Sequence, residues 1–76
     1  MRLAERMSTT TYEVGDGFYV DIVETDTEIE AWIFHKSYGI KKLMFGVTSN
    51  ESCIKNLIEA DLSIYKSLYK NEYMGD

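Results

Sequence analysis

Three stretches of the chain run six to eight positions in apolar, β-branched and aromatic residues, and then the repeat changes. Phe18 to Val23, Ile29 to His35 and Ile40 to Val47 are rich in the side chains that suit a pleated, half-buried surface, so each predicts a β-strand. Gly15-Asp16-Gly17 before the first is a turn. Thr25-Asp26-Thr27 separates the first from the second, and Ser37-Tyr38-Gly39 the second from the third. Loops this short join antiparallel neighbours, which makes the three a meander. Thr11 to Val14 offers a short fourth strand, with Tyr12 and Val14 its only apolar members. Ser8 to Thr11 is a polar connector. The first seven residues have room for one or two helical turns, too little to hold alone.

From Thr48 onward the spacing is three and four. Thr48 followed by Glu51 forms a capping box, hydroxyl and carboxylate each satisfying an orphan amide. Ile54, Leu57, Ile58, Leu62, Ile64, Tyr65, Leu68, Tyr69 and Tyr73 then fall within one half of a helix surface at about 100° per residue. One helix is predicted from about Ser49 to Glu72, ending before Gly75. The fold class is α+β: a three-stranded antiparallel β-meander with a long C-terminal helix on one face and a short N-terminal helix before it. Residues 1–76 make a single domain.

A three-residue loop at Thr25 to Thr27 would set Glu24 against Glu28 and Ile22 against Glu30. The turn lacks the glycine that would fix the register, so the helix covers either Trp32 and Phe34 or the opposite set. Both sheet faces are apolar: the first strand carries Phe18, Val20 and Ile22 on one side and Tyr19 and Val23 on the other, and the second carries Ile29, Ala31 and Ile33 on one side and Trp32 and Phe34 on the other. One helix covers one face. The remaining patch implies a second subunit, a partner, or cover by the N-terminal segment.

At 76 residues the core is small, because a chain of this size buries only roughly 60% of its unfolded surface. Ten aromatics, six of them tyrosine, make it a compact globular chain despite a net charge of −5. Cys53 is the only cysteine, which excludes an internal disulfide and a thiolate metal cage. No segment resembles a signal peptide or a membrane span, so the expected location is the cytoplasm, that of the host cell if a phage encodes the chain.

Charge changes the picture most. Between Arg6 and Lys36 lie seven acidic residues and no lysine or arginine, and all six lysines follow. Five of the acids, Asp21, Glu24, Asp26, Glu28 and Glu30, crowd one hairpin, and these are the candidate partner-binding residues. An anionic hairpin suits a cationic surface, and nucleic-acid-binding proteins carry the largest ones. The acidic balance argues against direct nucleic-acid binding. The plainer reading is a solvated hairpin whose charges block aggregation. Calcium is a third option, although the glycine and closing glutamate of an EF-hand loop are missing.

Asp61 falls in the middle of the helix stripe, where a lone buried carboxylate needs a cation or hydrogen bonds from Lys42, His35 or a tyrosine, unless it marks an exposed seam. His35 and Cys53 form a base–nucleophile pair only if the fold joins them; the alternative is a strand-end histidine and a half-buried thiol. Tyr65, Tyr69 and Tyr73 line one helix edge as core-rim packing, with Tyr69 and Tyr73 also candidates for an interface. No catalytic motif, cofactor signature or metal set stands out, and the expectation is a binding protein, not an enzyme.

The element order from Leu3 to Tyr73, with the acidic stretch Asp21-Ile22-Val23-Glu24-Thr25-Asp26-Thr27-Glu28-Ile29-Glu30, resembles several small anti-CRISPR proteins of phages and mobile elements. That resemblance implies a stoichiometric inhibitor occupying a basic nucleic-acid channel of an RNA-guided nuclease. Double-stranded-RNA-binding domains share the order but need a basic helix start, and here it reads Thr48-Ser49-Asn50-Glu51. The second function class is an acidic regulatory or antitoxin-like dimer from a mobile element.

Overall fold

The structure, a computed structural model, describes residues 6–75. It is an α+β fold with one antiparallel sheet in the order β1-β2-β3-β4, where β1 is Arg6–Gly15, β2 Phe18–Thr25, β3 Ile29–His35 and β4 Lys42–Val47. Two helices follow, α1 at Asn50–Glu59 and α2 at Leu62–Tyr69, the second running into a wider π turn at Lys70–Met74. The meander is present, but it has four strands instead of three.

The extra strand absorbs both the connector and the short segment at Thr11 to Val14. Its threonine run is β-branched, and pairing along β2 outweighs its low hydrophobicity: Tyr12 lies opposite Val20, Thr11 opposite Asp21 and Thr10 opposite Ile22. Arg6 and Met7 belong to this strand; the rest of the expected N-terminal helix lies outside the described residues. The β1–β2 turn is Gly15-Asp16-Gly17, all three with positive φ. Gly17 is the tight one, since a Cβ there would stand 2.7 Å from His35 Nε2.

The single long helix is a second correction. Ser49, not Thr48, is the N-cap of α1, its hydroxyl accepting from the Ser52 amide at 3.2 Å. The chain leaves the helix at Ala60, which is extended, and restarts after Asp61, whose carboxylate accepts from the Ser63 amide at 3.1 Å. A straight helix from Ser49 to Glu72 would run about 36 Å, whereas a strand of the length of β3 spans roughly 23 Å. One rod would overrun the sheet, and the break lets both halves pack on it. Aspartate suits such a break because its short carboxylate caps the next helix.

Both helices lie over β3, and α1 also over β4, on the face that carries Phe18, Val20, Ile22, Ile29, Ala31 and Ile33. Cys53 and Tyr69 close this core from above, with Leu57 and Tyr65 at its edge. The Tyr69 ring meets Phe18 edge-on at 5.6 Å, and its hydroxyl donates to the Ile40 carbonyl, so the ring is buried while its polar tip is satisfied. Among the described residues no helix is long and apolar enough to cross a membrane.

Candidate functional site: the acidic end of the sheet

The β2–β3 connection is built by Thr25. Its amide donates to the Glu28 carbonyl at 2.9 Å, and its hydroxyl accepts from the amides of Thr27 at 3.3 Å and Glu28 at 3.0 Å. A side chain that holds the turn this way mimics one more backbone residue. The turn therefore includes Glu28, and the register moves by one: Glu24 lies opposite Ile29, Val23 opposite Glu30 and Ile22 opposite Ala31. The expected pairs Glu24 with Glu28 and Ile22 with Glu30 do not form. No two acids stand directly opposite across β2 and β3, and the register that puts Trp32 and Phe34 away from the helices is the one adopted.

The five candidate carboxylates divide among three settings. Glu24, Asp26 and Glu28 gather at the hairpin end, where with Thr25, Thr27, Ile29 and Thr48 they line a shallow, open cleft of about 180 Å³. Glu24 is half-buried and accepts from Ser8 Oγ at 3.5 Å, while Asp26 and Glu28 are exposed. Gly46 makes room for Glu28, whose Oε2 would lie 3.1 Å from a Cβ at that position. Glu30 is on the sheet face away from the helices and accepts from the Trp32 indole at 3.1 Å. Asp21 is apart from all of these: it is 3% exposed, accepts from Thr11 Oγ1 at 2.6 Å, and pairs with Lys41 Nζ at 2.7 Å.

The charge split in the sequence becomes a spatial one only in part, since Asp21 pairs with Lys41 and Asp16 with Lys66. Lys66 reaches the Val14 carbonyl at 2.7 Å and Asp16 at 3.4 Å, and both Lys66 and Lys70 stand 6.0 Å from the Phe18 ring centre, at the far end of the strands. Lys42 pairs with Glu72 at 2.6 Å, and this hydrogen bond raises the lysine pKa and lowers that of the glutamate. Glu24, Asp26 and Glu28 are the charged residues among the described lining of the cleft. The backbone of Arg6 belongs to the same end, opposite Thr25 in the β1–β2 register. Sequence distance had hidden that neighbour.

Other candidates resolve into structural roles. Asp61 is an exposed cap that also accepts from Ser63 Oγ at 2.5 Å, which corrects its place in a continuous stripe. Cys53 is fully buried, and desolvation pushes its thiol pKa up, away from a nucleophilic thiolate. His35 is occupied elsewhere: Nδ1 accepts from the Ser37 amide at 3.1 Å and the ring meets Phe18 edge-on at 4.9 Å. Tyr69 is core, with Tyr73 tilted against it at 4.8 Å, and Tyr65 is half-buried. Among the described residues no three His, Cys, Asp or Glu side chains are grouped to hold a metal ion.

A second surface lies on the face away from the helices. Tyr19 and Phe34 stack at 5.6 Å, Lys41 sits 5.4 Å above Phe34, Trp32 is half-buried and Leu43 is 49% exposed. The Lys41–Asp21 pair in its midst was not legible in sequence, because the two residues are 20 positions apart and meet only through the meander. Comparisons of the chain with protein-family models, with curated proteins and with solved structures gave no match.

Proposed function

We propose that this chain is a non-enzymatic binding protein that presents its acidic hairpin to a basic nucleic-acid-binding protein and occupies the site meant for nucleic acid. The observation that carries this reading is the cleft at the hairpin end, which Glu24, Asp26 and Glu28 line together on an open, exposed surface. At about 180 Å³ and open to solvent, it is small for a ligand pocket, which is typically roughly 300–1,000 Å³, and suits contact with protruding lysine and arginine side chains. Glu30 extends the anionic surface along β3. Asp21 belongs to the scaffold, since its charge is spent on Lys41.

The target class that fits is an RNA-guided nuclease, in the manner of the anti-CRISPR proteins the chain resembles, acting in the host cytoplasm. Capture from a bacterial lysate on the immobilised protein tests this. Basic nucleic-acid-binding proteins should be retained and then released by competing DNA. Retention that DNA does not disturb would count against it.

The second reading, an acidic regulatory or antitoxin-like dimer, is favoured by the aromatic surface of Tyr19, Trp32 and Phe34 with Leu43, which the helices leave uncovered.

A further inference from the structure

The two edges of the sheet are protected to different degrees. β4 is six residues long, begins with Lys42, carries a bulge opposite Ala31 and Trp32, and lies beside α1. Charge, irregularity and cover are the devices that keep a strand edge from recruiting another chain. β1 has few of them. It is ten residues long, and its pairing to β2 is irregular only at the two ends, between Arg6 and Ser8 and between Glu13 and Gly15. Every residue from Ser8 to Glu13 is exposed. From Ser8 to Val14 the only charge is Glu13, and there is neither lysine nor proline. Among the described residues its outer edge thus offers a straight row of backbone donors and acceptors in a β-branched frame.

We infer that this edge pairs with the same edge of a second copy, antiparallel, to join two four-stranded sheets into one. The sequence of the edge is self-complementary. Directly opposite residues of an antiparallel pair share a sheet face, so a two-fold axis through such a pair must set one residue against itself. The central positions are Thr9, Thr10 and Thr11, and threonine against threonine is a favourable cross-strand pair. With the axis at Thr10 or Thr11, Glu13 meets an uncharged residue and not its own copy.

Charge agrees with this direction of pairing. Antiparallel β1 strands bring the acidic hairpin end of each copy to the same sheet margin as the other copy's β1–β2 turn, where Lys70 lies and Lys66 pairs with Asp16. Three strand spacings, roughly 14 Å, separate them, so the attraction orients the approach more than it tightens the complex. The alternative of β1 on the partner's β4 would propagate into an open fibre, and the blunted β4 edge disfavours it. This inference is independent of what the acidic hairpin binds; it leaves both hairpins at opposite margins of the joined sheet.

The test is light scattering over a concentration series, with variants on the edge. The protein should have twice the mass of one chain, and Thr10→Lys should raise the dimer dissociation constant about fivefold or more while circular dichroism stays unchanged. Cysteine placed by Thr10→Cys or Thr11→Cys should link two copies through a short bis-maleimide, and Glu13→Cys should not. The buried Cys53 is shielded from the reagent. If Thr10→Lys does not fold, the cysteine variants decide alone. A monomer at every concentration up to about 1 mM, or a dimer that neither central cysteine links, overturns the inference.

Discussion

Lys41 Nζ stands 2.7 Å from Asp21 Oδ2 on the sheet face opposite the helices, and Thr11 Oγ1 donates to the other oxygen at 2.6 Å. The contact joins three parts of the meander: β1, β2 and the loop entering β4. It also takes one carboxylate out of the acidic surface, because Asp21 is 3% exposed. Removing the lysine leaves that charge buried with only the Thr11 hydroxyl, and an unpaired buried charge is costly. Lys41 is itself 39% exposed, so water will compensate in part.

Lys41→Met is therefore expected to lower stability by about 1–3 kcal/mol, read from urea unfolding. Adding Asp21→Leu to it should recover most of the loss, because the charge and its partner then leave together. A double variant no more stable than the single one would mean the pair is not what holds this face.

The break between the helices makes a separate claim. As an N-cap, Asp61 should contribute about 0.5–2 kcal/mol, and Asp61→Ala should lose it, whereas Asp61→Asn or Asp61→Ser should lose much less. The position first expected for Asp61, inside a continuous apolar stripe, makes the opposite forecast: alanine there would stabilise. Thermal unfolding of the three variants separates them.

Glu72 and Lys42 pin the π turn to the start of β4. The hydrogen bond to Lys42 holds the Glu72 carboxyl below its ordinary 4.5, and the same bond holds Lys42 above its ordinary 10.5. For the carboxyl, the stabilisation is present above pH 4.5 and is lost as pH falls through the lowered value. For the lysine it is present below pH 10.5 and lost as pH rises through the raised value. Between those limits the contact should be intact. Carboxyl titration by NMR should place Glu72 below 4.5, and Lys42→Gln should raise it.

Much of the fold was legible because it follows from local pattern. β3 begins and ends where its alternating run does, at Ile29 and His35, and Gly15-Asp16-Gly17 turns as its glycines require. Three features were not legible. Of β1 only Thr11 to Val14 reads as a strand in the sequence, because the Ser8 to Thr11 run is polar and its strand state depends on β2 lying beside it. The hairpin register turned on one hydroxyl, that of Thr25, where no glycine marked the turn. The helix break needed the size of the sheet, which no window of the helix contains. Sequence grouped Glu24, Asp26 and Glu28 because they are neighbours in one turn, and all three line the cleft. It could not separate Asp21, because burial and the Lys41 partner arise from tertiary contact.

The measurement that bears most directly on the charge-mimic account uses Glu24→Gln, Asp26→Asn, Glu28→Gln and Glu30→Gln combined in one chain. Circular dichroism should show the fold retained, since none of the four lies in the buried core. Binding to the basic protein recovered by DNA-displaceable capture is then compared at low and physiological salt. Close charge pairs at an interface can be worth about 1.5–7 kcal/mol each, so the account predicts that the native chain binds more weakly as salt rises and that the variant loses more than about 100-fold. A variant that binds as tightly as the native chain, with no salt dependence in either, would contradict charge mimicry and move the binding surface to the aromatic face of Tyr19, Trp32 and Phe34.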